Sequence, residues 1–177
     1  MYLNIHQKQQ SGISQEKGAA FVELIIVIPF LAFLFFGATE FVRVLRIMQG
    51  MAVISKELGN GAFSDCLELE TPQACLDDMI SKVNNTALVT LPPSKLIVSV
   101  YKLDSAGGLT LTIARAGGLS EDTKYNAGNV HAGGTATATI LDKNRAIAIG
   151  EVYTAYTPLF STSTLGGITR FYDATIY

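Results

Sequence analysis

The feature that most constrains this chain is an apolar run near its amino terminus, from Ala19 to Ala38, which reads AAFVELIIVIPFLAFLFFGA. The run has twenty residues and a single charged side chain, Glu23. A helix of that length spans about 30 Å, which matches the hydrocarbon thickness of a bilayer. The sequence therefore predicts a transmembrane helix over residues 19–38.

A secretory signal peptide or a buried core helix would account for the apolar run less well. A signal peptide has an apolar region of about 7–15 residues followed by small residues at a cleavage site. Here the run is longer, and Phe35 and Phe36 stand where small residues belong. A buried core helix would need further stretches apolar enough to surround it, and none of the remaining sequence is as apolar.

Two residues inside the run are unusual for a membrane helix. Pro29 lacks a backbone donor and crowds the carbonyl group of Ile25, so we expect a bend there. A carboxylate such as Glu23 costs about 3 kcal/mol in the middle of the hydrocarbon, and such residues usually have a partner. The alternative is that Glu23 lies near the lipid headgroups and reaches water.

Basic residues do not settle which end of the helix faces the cytoplasm. The positive-inside rule compares lysine and arginine on the two flanks of a membrane helix. The flanking residues are Lys8 and Lys17 on the amino-terminal side, and Arg43, Arg46 and Lys56 on the other. The orientation therefore needs another argument.

A cut after Gly18 would supply a partner for Glu23. Ala19 would then carry a new α-amino group, and Glu23 follows it by four residues, which is about one helical turn. A free α-amino group has a pKa near 8, so it is protonated at neutral pH and can pair with the carboxylate. In a bundle of such helices, this ion pair would set the axial register between subunits.

These residues resemble the prepilin peptidase signal of type IV pilin-like proteins, which has a short polar leader, a glycine before the cut and a glutamate at the fifth mature position. More narrowly, residues 18–44 are similar to the start of the TadE-like pseudopilins of tight-adherence (Flp/Tad) systems. The matching residues are Gly18, Val22, Glu23, Pro29, Gly37, Glu40 and Arg43. Leu24 departs from the phenylalanine common in that family, and residues 150–160 are similar to a strand-then-Pro-Leu segment near its end.

The resemblance implies a minor pilin with a pilin-like fold, cut by a prepilin peptidase and held in the bacterial inner membrane by a single span. Residues 1–18 would be a cytoplasmic leader, and the carboxyl-terminal domain would be periplasmic or incorporated into an extracellular pilus. The implied partners are the peptidase, the major Flp pilin and minor pilins, the inner-membrane assembly platform and membrane lipid. The implied function is structural, in pilus assembly, adhesion or secretion, and needs no cofactor.

Three different functions stay open at this stage. The chain could be an unprocessed single-pass protein that carries a periplasmic binding or sensor domain. It could be a pseudopilin of a type II secretion system, or an exported hydrolase with a divergent site. Processing after Gly18 separates the first of these from the pilin interpretation, and neighbouring genes for Tad-type assembly components would separate the second. A purified domain without activity and without a concave polar pocket would dismiss the third.

Beyond the apolar run, the pattern predicts a continuing amphipathic helix over residues 39–62. Its apolar positions recur at spacings of three and four, which is typical of one helical face. They are Phe41, Val44, Leu45, Met48, Met51, Ala52 and Leu58. We expect Glu40 and Arg43 to pair on its surface, and Gly59 and Gly61 to mark its end.

Residues 63–177 are predicted to form an outer domain, which gives the chain an α+β fold overall. Cys66 and Cys75 indicate one structural disulfide if the domain is exported, with free thiols as the alternative. Thr71 and Pro72 are typical of the start of a short helix, which we expect to end at residues 84–85.

The remaining pattern predicts an antiparallel sheet of about four strands packed on the outer half of the long helix. Alternating apolar residues predict strands at 95–103 and 109–116, joined by a five-residue hairpin loop. Further strands are predicted at 135–140, 145–157 and 168–177. Residues 117–134 are predicted to form a long polar loop.

No catalytic constellation is present in the sequence. His6 lies in the predicted leader, and His131 lies among glycine, asparagine and alanine in the polar loop, where a solvated side chain is expected. Glu121 and Asp122 are also expected to be solvated, with help in binding a hard cation as the alternative. Two cysteines and two histidines are too few for a zinc module. We therefore expect no metal site and no enzymatic activity.

Charge and aromatic content also limit the possible functions. The net charge of −2 excludes a basic protein that binds nucleic acid by neutralising phosphates. Aromatic side chains are concentrated in the carboxyl-terminal strands, where we expect packing on the sheet first and a subunit contact second. They are Tyr153, Tyr156, Phe171, Tyr172 and Tyr177.

Overall fold

The computed structural model describes residues 5–69, 71–130, 135–158 and 169–177. The chain divides into two compact units between Arg43 and Val44. Helix α1, Ile5–Gly61, begins in the first unit and ends in the second. The first unit is helical at every described position, and the helix continues through Pro29. It contains no strand among its described residues, so the whole sheet belongs to the second unit.

The described residues of the second unit form a π-helical turn, three further α-helices and one sheet. After α1 come a π-helical turn (Ala62–Cys66), α2 (Gln73–Thr90), β1 (Ser94–Leu103), β2 (Leu109–Gly117), α3 (Ala127–Val130), α4 (Ala136–Asn144), β3 (Ala146–Tyr156) and β4 (Thr169–Ile176). The strand order is β2-β1-β3-β4, and all three neighbouring pairs are antiparallel. The predicted α+β arrangement, a long apolar helix followed by a small antiparallel sheet, is confirmed.

One face of the sheet packs against α2 and the part of α1 that follows Val44. The main core cluster joins alternate residues of β1 with one stripe of each helix, and each such side chain contributes about 1.5–3 kcal/mol by burial. Its largest members are Leu96, Val98 and Val100 from β1, Ile47, Met51, Ile54 and Leu58 from α1, and Leu76, Ile80 and Val83 from α2.

The amphipathic face of α1 is only partly as predicted. Met51 and Leu58 are buried as expected, whereas Leu45 and Met48 are 39% and 47% exposed. The buried stripe includes Ile47 and Ile54 instead. Both sets of positions recur at spacings of three and four, so the helical period alone does not distinguish them. Contact with the sheet decides which set is covered.

Helix α1 lies close against the sheet at Gly150 of β3. A Cβ atom at this position would lie 2.3 Å from the carbonyl oxygen of Ser55 and 2.7 Å from the backbone nitrogen of Gly59. Only a residue without a side chain fits between the strand and the helix here. Beside this contact, the buried hydroxyl of Ser55 donates to the Asp173 carboxylate and lies 3.0 Å from Thr175 Oγ1 on β4.

The opposite face of the sheet is covered by α4 and by residues 118–130. A second apolar cluster fills this side, with Tyr101, Val130, Leu141, Ile147 and Ile149 buried. The central strands β1 and β3 are therefore buried on both faces, which explains why nearly every residue of β3 is buried rather than every second one.

Four strand predictions correspond to strands in the structure, and one is wrong. The predicted strand at 135–140 is the start of α4. The Thr135 side chain caps this helix by accepting a hydrogen bond from the backbone nitrogen of Ala138, and Ala138 and Leu141 are buried. Alternating threonines suggested a strand, but a threonine at the N-cap and apolar residues three apart suit a short helix equally well.

Helix α2 is longer than predicted, and its start differs. It continues past the expected end at 84–85 to Thr90, and Pro72 rather than Thr71 occupies the N-cap position without a side-chain hydrogen bond. Asparagine lowers helix propensity only slightly, so burial of Val83 and Ala87 against the sheet outweighs it. The predicted polar loop at 117–134 contains the short helix α3. His131 and Ile168 lie outside the described residues.

Candidate functional site

A long exposed apolar surface belongs to the first unit. An 18-residue window of α1 has a mean hydropathy of 2.5, and none of it is buried in the protein. From Phe21 to Phe36 large apolar side chains are exposed, with Phe33 at 74% and Ile26 at 68%. Water would strongly disfavour this surface, whereas lipid would not. By its length and composition this helix can cross a membrane.

Glu23 lies in the exposed apolar segment of α1 and is itself exposed. The backbone of Gly18 and Ala19 belongs to the same helix, so Ala19 precedes Glu23 by about one turn. Gly37 has open space where a Cβ atom would be. The sequence-predicted residues of this segment therefore share one helix, and the predicted cut and ion pair remain predictions.

Glu40 and Arg43 form the predicted surface pair. Arg43 Nη1 lies 3.4 Å from Glu40 Oε2, and the two side chains are 44% and 20% exposed. Exposed ion pairs at this helical spacing are worth about 0.3–0.5 kcal/mol. The pair therefore contributes little to stability. Its position shows where charged side chains resume after the apolar run.

Cys66 and Cys75 form the predicted disulfide, with a Cα–Cα distance of 5.6 Å. The bond connects the end of the π-helical turn to the first turn of α2. Cys66 is fully buried in the main core cluster, whereas Cys75 is only partly buried. No free cysteine remains in the chain.

The most elaborate polar cluster surrounds Glu151, a residue that the sequence interpretation did not single out. Glu151 is completely buried in the middle of β3. Its carboxylate accepts hydrogen bonds from the Thr123 hydroxyl, from the backbone nitrogen of Lys124 at 3.0 Å and from the Tyr172 hydroxyl at 3.1 Å. The Tyr153 hydroxyl lies 3.2 Å from the same carboxylate. The only sequence signal was a single acid within an otherwise apolar strand.

This cluster holds the loop at residues 118–126, here called the covering loop, onto the sheet. The loop is tied to both edge strands by ion pairs, from Asp122 to Arg115 of β2 at 2.8 Å and from Glu121 to Arg170 of β4. On β1, the Tyr101 hydroxyl donates to the carbonyl oxygen of residue 125 at 2.7 Å. Both loop acids have arginine partners, which leaves them less suited to a cation. The Asp122 side chain is 72% exposed, as expected, whereas that of Glu121 is only 11% exposed, so the expectation of a solvated side chain is wrong for Glu121.

Burial and charge shift the pKa values around Glu151. Burial is the main cause that raises the pKa of Tyr101 to about 12. Burial, followed by the neighbouring Glu151 carboxylate, also raises the pKa values of Tyr153 and Tyr172 well above their usual range. The hydrogen bond from Arg115 lowers the pKa of Asp122. The three tyrosines therefore stay protonated at physiological pH. Tyr153 and Tyr172 act as donors to the buried Glu151 carboxylate, whereas Tyr101 donates to the carbonyl oxygen of residue 125.

Among the surface depressions of the second unit, two have well-defined linings of described residues. One, of about 360 Å³, lies between the end of α1 and α2 and includes Glu57, Asp65, Cys75, Asp78 and Lys82. The other, of about 210 Å³, lies between α1 and β4. Within the described residues, no group of three or more His, Cys, Asp or Glu side chains could hold a metal ion.

Comparison of the chain with known protein families, with curated proteins and with solved structures found no match in any of the three.

Proposed function

We propose that this chain is a TadE-like minor pilin of a tight-adherence pilus or secretion apparatus, cut after Gly18 by a prepilin peptidase. In this proposal, α1 anchors the mature chain in the inner membrane, and the second unit is the periplasmic domain. The function is structural: the mature chain takes part in pilus assembly together with the other pilins and the assembly platform. The chain is the substrate of the processing enzyme.

The observation that carries the proposal is the position of Glu23. It is the one charge within twenty apolar residues, and it follows the Gly18–Ala19 bond by a single helical turn. An acid in an exposed apolar helix is unfavourable in lipid unless a cation pairs with it. The amino group released at Ala19 would be that cation, within one chain or between neighbouring chains.

The test is the amino terminus of the native protein. Mass spectrometry of the membrane fraction should find a mature chain that begins at Ala19. Gly18→Leu should block the cut, whereas the matched control Gly37→Leu should leave it unchanged, because Gly37 lies in open space within the same helix. A native chain that retains residues 1–18 would contradict the proposal and favour an unprocessed anchored domain.

The role of Glu23 needs a second measurement. Glu23→Gln should abolish piliation, since it removes the charge that pairs with the new amino group. Glu40→Gln is the control, because it removes a carboxylate of the same helix that already has Arg43 as its partner. Equal piliation in the two variants would contradict the assembly role of Glu23.

A further inference from the structure

The two sulfur atoms of the disulfide are in different surroundings. Cys66 ends the π-helical turn and is completely buried in the main core cluster. Cys75 lies in the first turn of α2, is partly exposed and lines the 360 Å³ cleft. A reagent in solvent therefore has access to the disulfide from the Cys75 side and not from the Cys66 side.

The cleft beside Cys75 carries an excess of negative charge. Three acidic side chains line it, Glu57, Asp65 and Asp78, against one basic side chain, Lys82. Lys82 already forms an ion pair with Asp78, with 2.6 Å between Nζ and Oδ2. All four are exposed, so their fields act on an approaching reagent through water and are screened by salt.

Thiol–disulfide exchange requires direct attack of a thiolate on a sulfur atom, so its rate depends on access and on local charge. We propose that exchange at this disulfide occurs at Cys75 Sγ in the cleft, with a dithiol oxidoreductase as the partner and Cys66 as the resolving sulfur. The carboxylates that line the cleft select against small anionic thiols. This proposal does not depend on the pilin function.

The reaction is a two-electron exchange. A thiolate attacks Cys75 Sγ, a new sulfur–sulfur bond forms between them, and the Cys66–Cys75 bond breaks. The electron pair leaves on Cys66 Sγ, which takes a proton from solvent. The second thiol of the oxidoreductase then attacks the oxidoreductase sulfur of the mixed disulfide. This step releases Cys75 as a thiolate and leaves the oxidoreductase with an internal disulfide. The reverse sequence forms the disulfide in the newly exported chain.

Burial of Cys66 determines how long the mixed disulfide lasts. The charge that develops on Cys66 Sγ lies in apolar surroundings, which disfavour it. Cys66 also stays next to Cys75, so it can attack the mixed disulfide and restore the original bond. We therefore expect a short-lived adduct in the native protein and a stable one when Cys66 is replaced.

The first test compares Cys66→Ser with Cys75→Ser in the full chain, held in neutral detergent micelles. The probe is cystamine, and the readout is the mass of the cysteamine adduct. Cys66→Ser should be labelled at least about 100-fold faster than Cys75→Ser in native buffer, and the two rates should converge in denaturant. Equal rates in native buffer, or faster labelling of Cys75→Ser, would overturn the proposal.

The native chain provides a test that does not depend on either variant. After brief treatment with cysteamine and an acid quench, cleavage at Glu68 separates the peptides of the two cysteines. The trapped adduct should be found on the Cys75 peptide. An adduct mainly on Cys66 would contradict the assignment.

The charge selectivity has its own readout. Reduction by cysteamine should exceed reduction by mercaptoethanesulfonate by about tenfold at low salt, after each rate is divided by its rate on the unfolded chain. The ratio should fall towards one in 1 M salt and in the variant with both Asp65→Asn and Asp78→Asn. Asp142→Asn on α4 is the control and should leave it unchanged. A ratio near one at low salt would contradict the proposed selection against anionic thiols.

Discussion

The two units of this protein use hydrophobic side chains in opposite ways. In the unit that ends at Arg43, large apolar side chains are exposed, and six of the nine phenylalanines of the chain lie between Phe21 and Phe41. In the unit that begins at Val44, apolar side chains form two buried clusters, and six of the seven tyrosines lie beyond residue 100. Phenylalanine has no polar group to satisfy in lipid, whereas a tyrosine hydroxyl needs a partner.

The same contrast applies to two glutamates. Glu151 is completely buried and has four hydrogen-bond donors around its carboxylate. Glu23 is exposed on an apolar helix. A buried carboxylate is tolerated when its own domain supplies the donors. Glu23 lies on an exposed apolar helix instead, and under the proposed function its partner is the new amino group of Ala19.

The largest expected effect separates these two residues. Glu151→Ala should lower the free energy of unfolding of the second unit by about 3–5 kcal/mol, because it leaves buried hydroxyl and amide donors without an acceptor. Glu23→Ala should change it by less than about 0.5 kcal/mol. Urea unfolding of the full chain in neutral micelles, followed by the near-ultraviolet circular dichroism of tyrosine, measures both. Similar losses in the two variants would break the contrast.

Two leucines test the hydrophobic side of the comparison. Leu58 is completely buried in the main core cluster, whereas Leu34 is 50% exposed on the apolar helix. Leu58→Ala should lower the free energy of unfolding by about 2–5 kcal/mol, since it removes buried surface and leaves a cavity. Leu34→Ala should leave the tyrosine-reported transition in the same place. A loss at Leu34 comparable to that at Leu58 would mean that the two units unfold together.

Two glycines give a smaller contrast. Gly150→Ala would force its Cβ atom against the backbone of α1, so we expect a loss of about 1–3 kcal/mol in the same urea transition. Gly37→Ala meets nothing within 4 Å and should leave the transition unchanged. A Gly150→Ala variant as stable as the native chain would contradict this prediction. It would mean that α1 shifts away from β3 without loss of unfolding free energy.

The smallest effect is a dependence on alkaline pH. The pKa of Tyr101 is about 12 in the folded protein, above the value near 10 of an unfolded tyrosine, so the unfolded chain loses its proton first. Stability from this group is complete below pH 10 and falls as the pH rises towards 12. The melting temperature of the tyrosine signal should fall over that window, and less steeply in Tyr101→Phe.

The apolar helix is the control for this measurement. It contains no tyrosine between residues 5 and 43, so no such group titrates there in that window. A melting temperature that is constant from pH 8 to 12 would contradict the role assigned to the buried tyrosines.

Hydrophobic periodicity and short sequence motifs predicted much of the fold. The apolar run, the disulfide, the hairpin of β1 and β2 and the strands β3 and β4 follow from residues close together in sequence. Features that depend on distant contacts were missed. The stripe Ile47–Ile54 is buried instead of Leu45 and Met48 because of the sheet beneath it. The predicted strand at 135–140 is a helix because the other face of that sheet needs a cover.

Whether a residue of the candidate site could be predicted from sequence depends on how far along the chain its interaction partners lie. Glu23, Gly18 and Ala19 were singled out from sequence because a charge in an apolar run is visible without any structure. Glu151 was not, because three of its four donors come from residues 21–28 positions away along the chain, and only the fourth lies near it on β3. The same dependence on distant contacts hid the difference between the two halves of the disulfide.

The amino-acid sequence by itself determined that one helix is long and apolar enough to cross a membrane and that two cysteines nine residues apart could close a loop by a disulfide. Hydrophobicity and short spacing are properties of neighbouring residues, so no fold is needed to detect them. Tertiary structure alone decided which helical stripe is buried, which acid is internally satisfied and which cysteine of the disulfide lines a surface cleft. Burial depends on what the rest of the chain places against a residue, and that information is nonlocal.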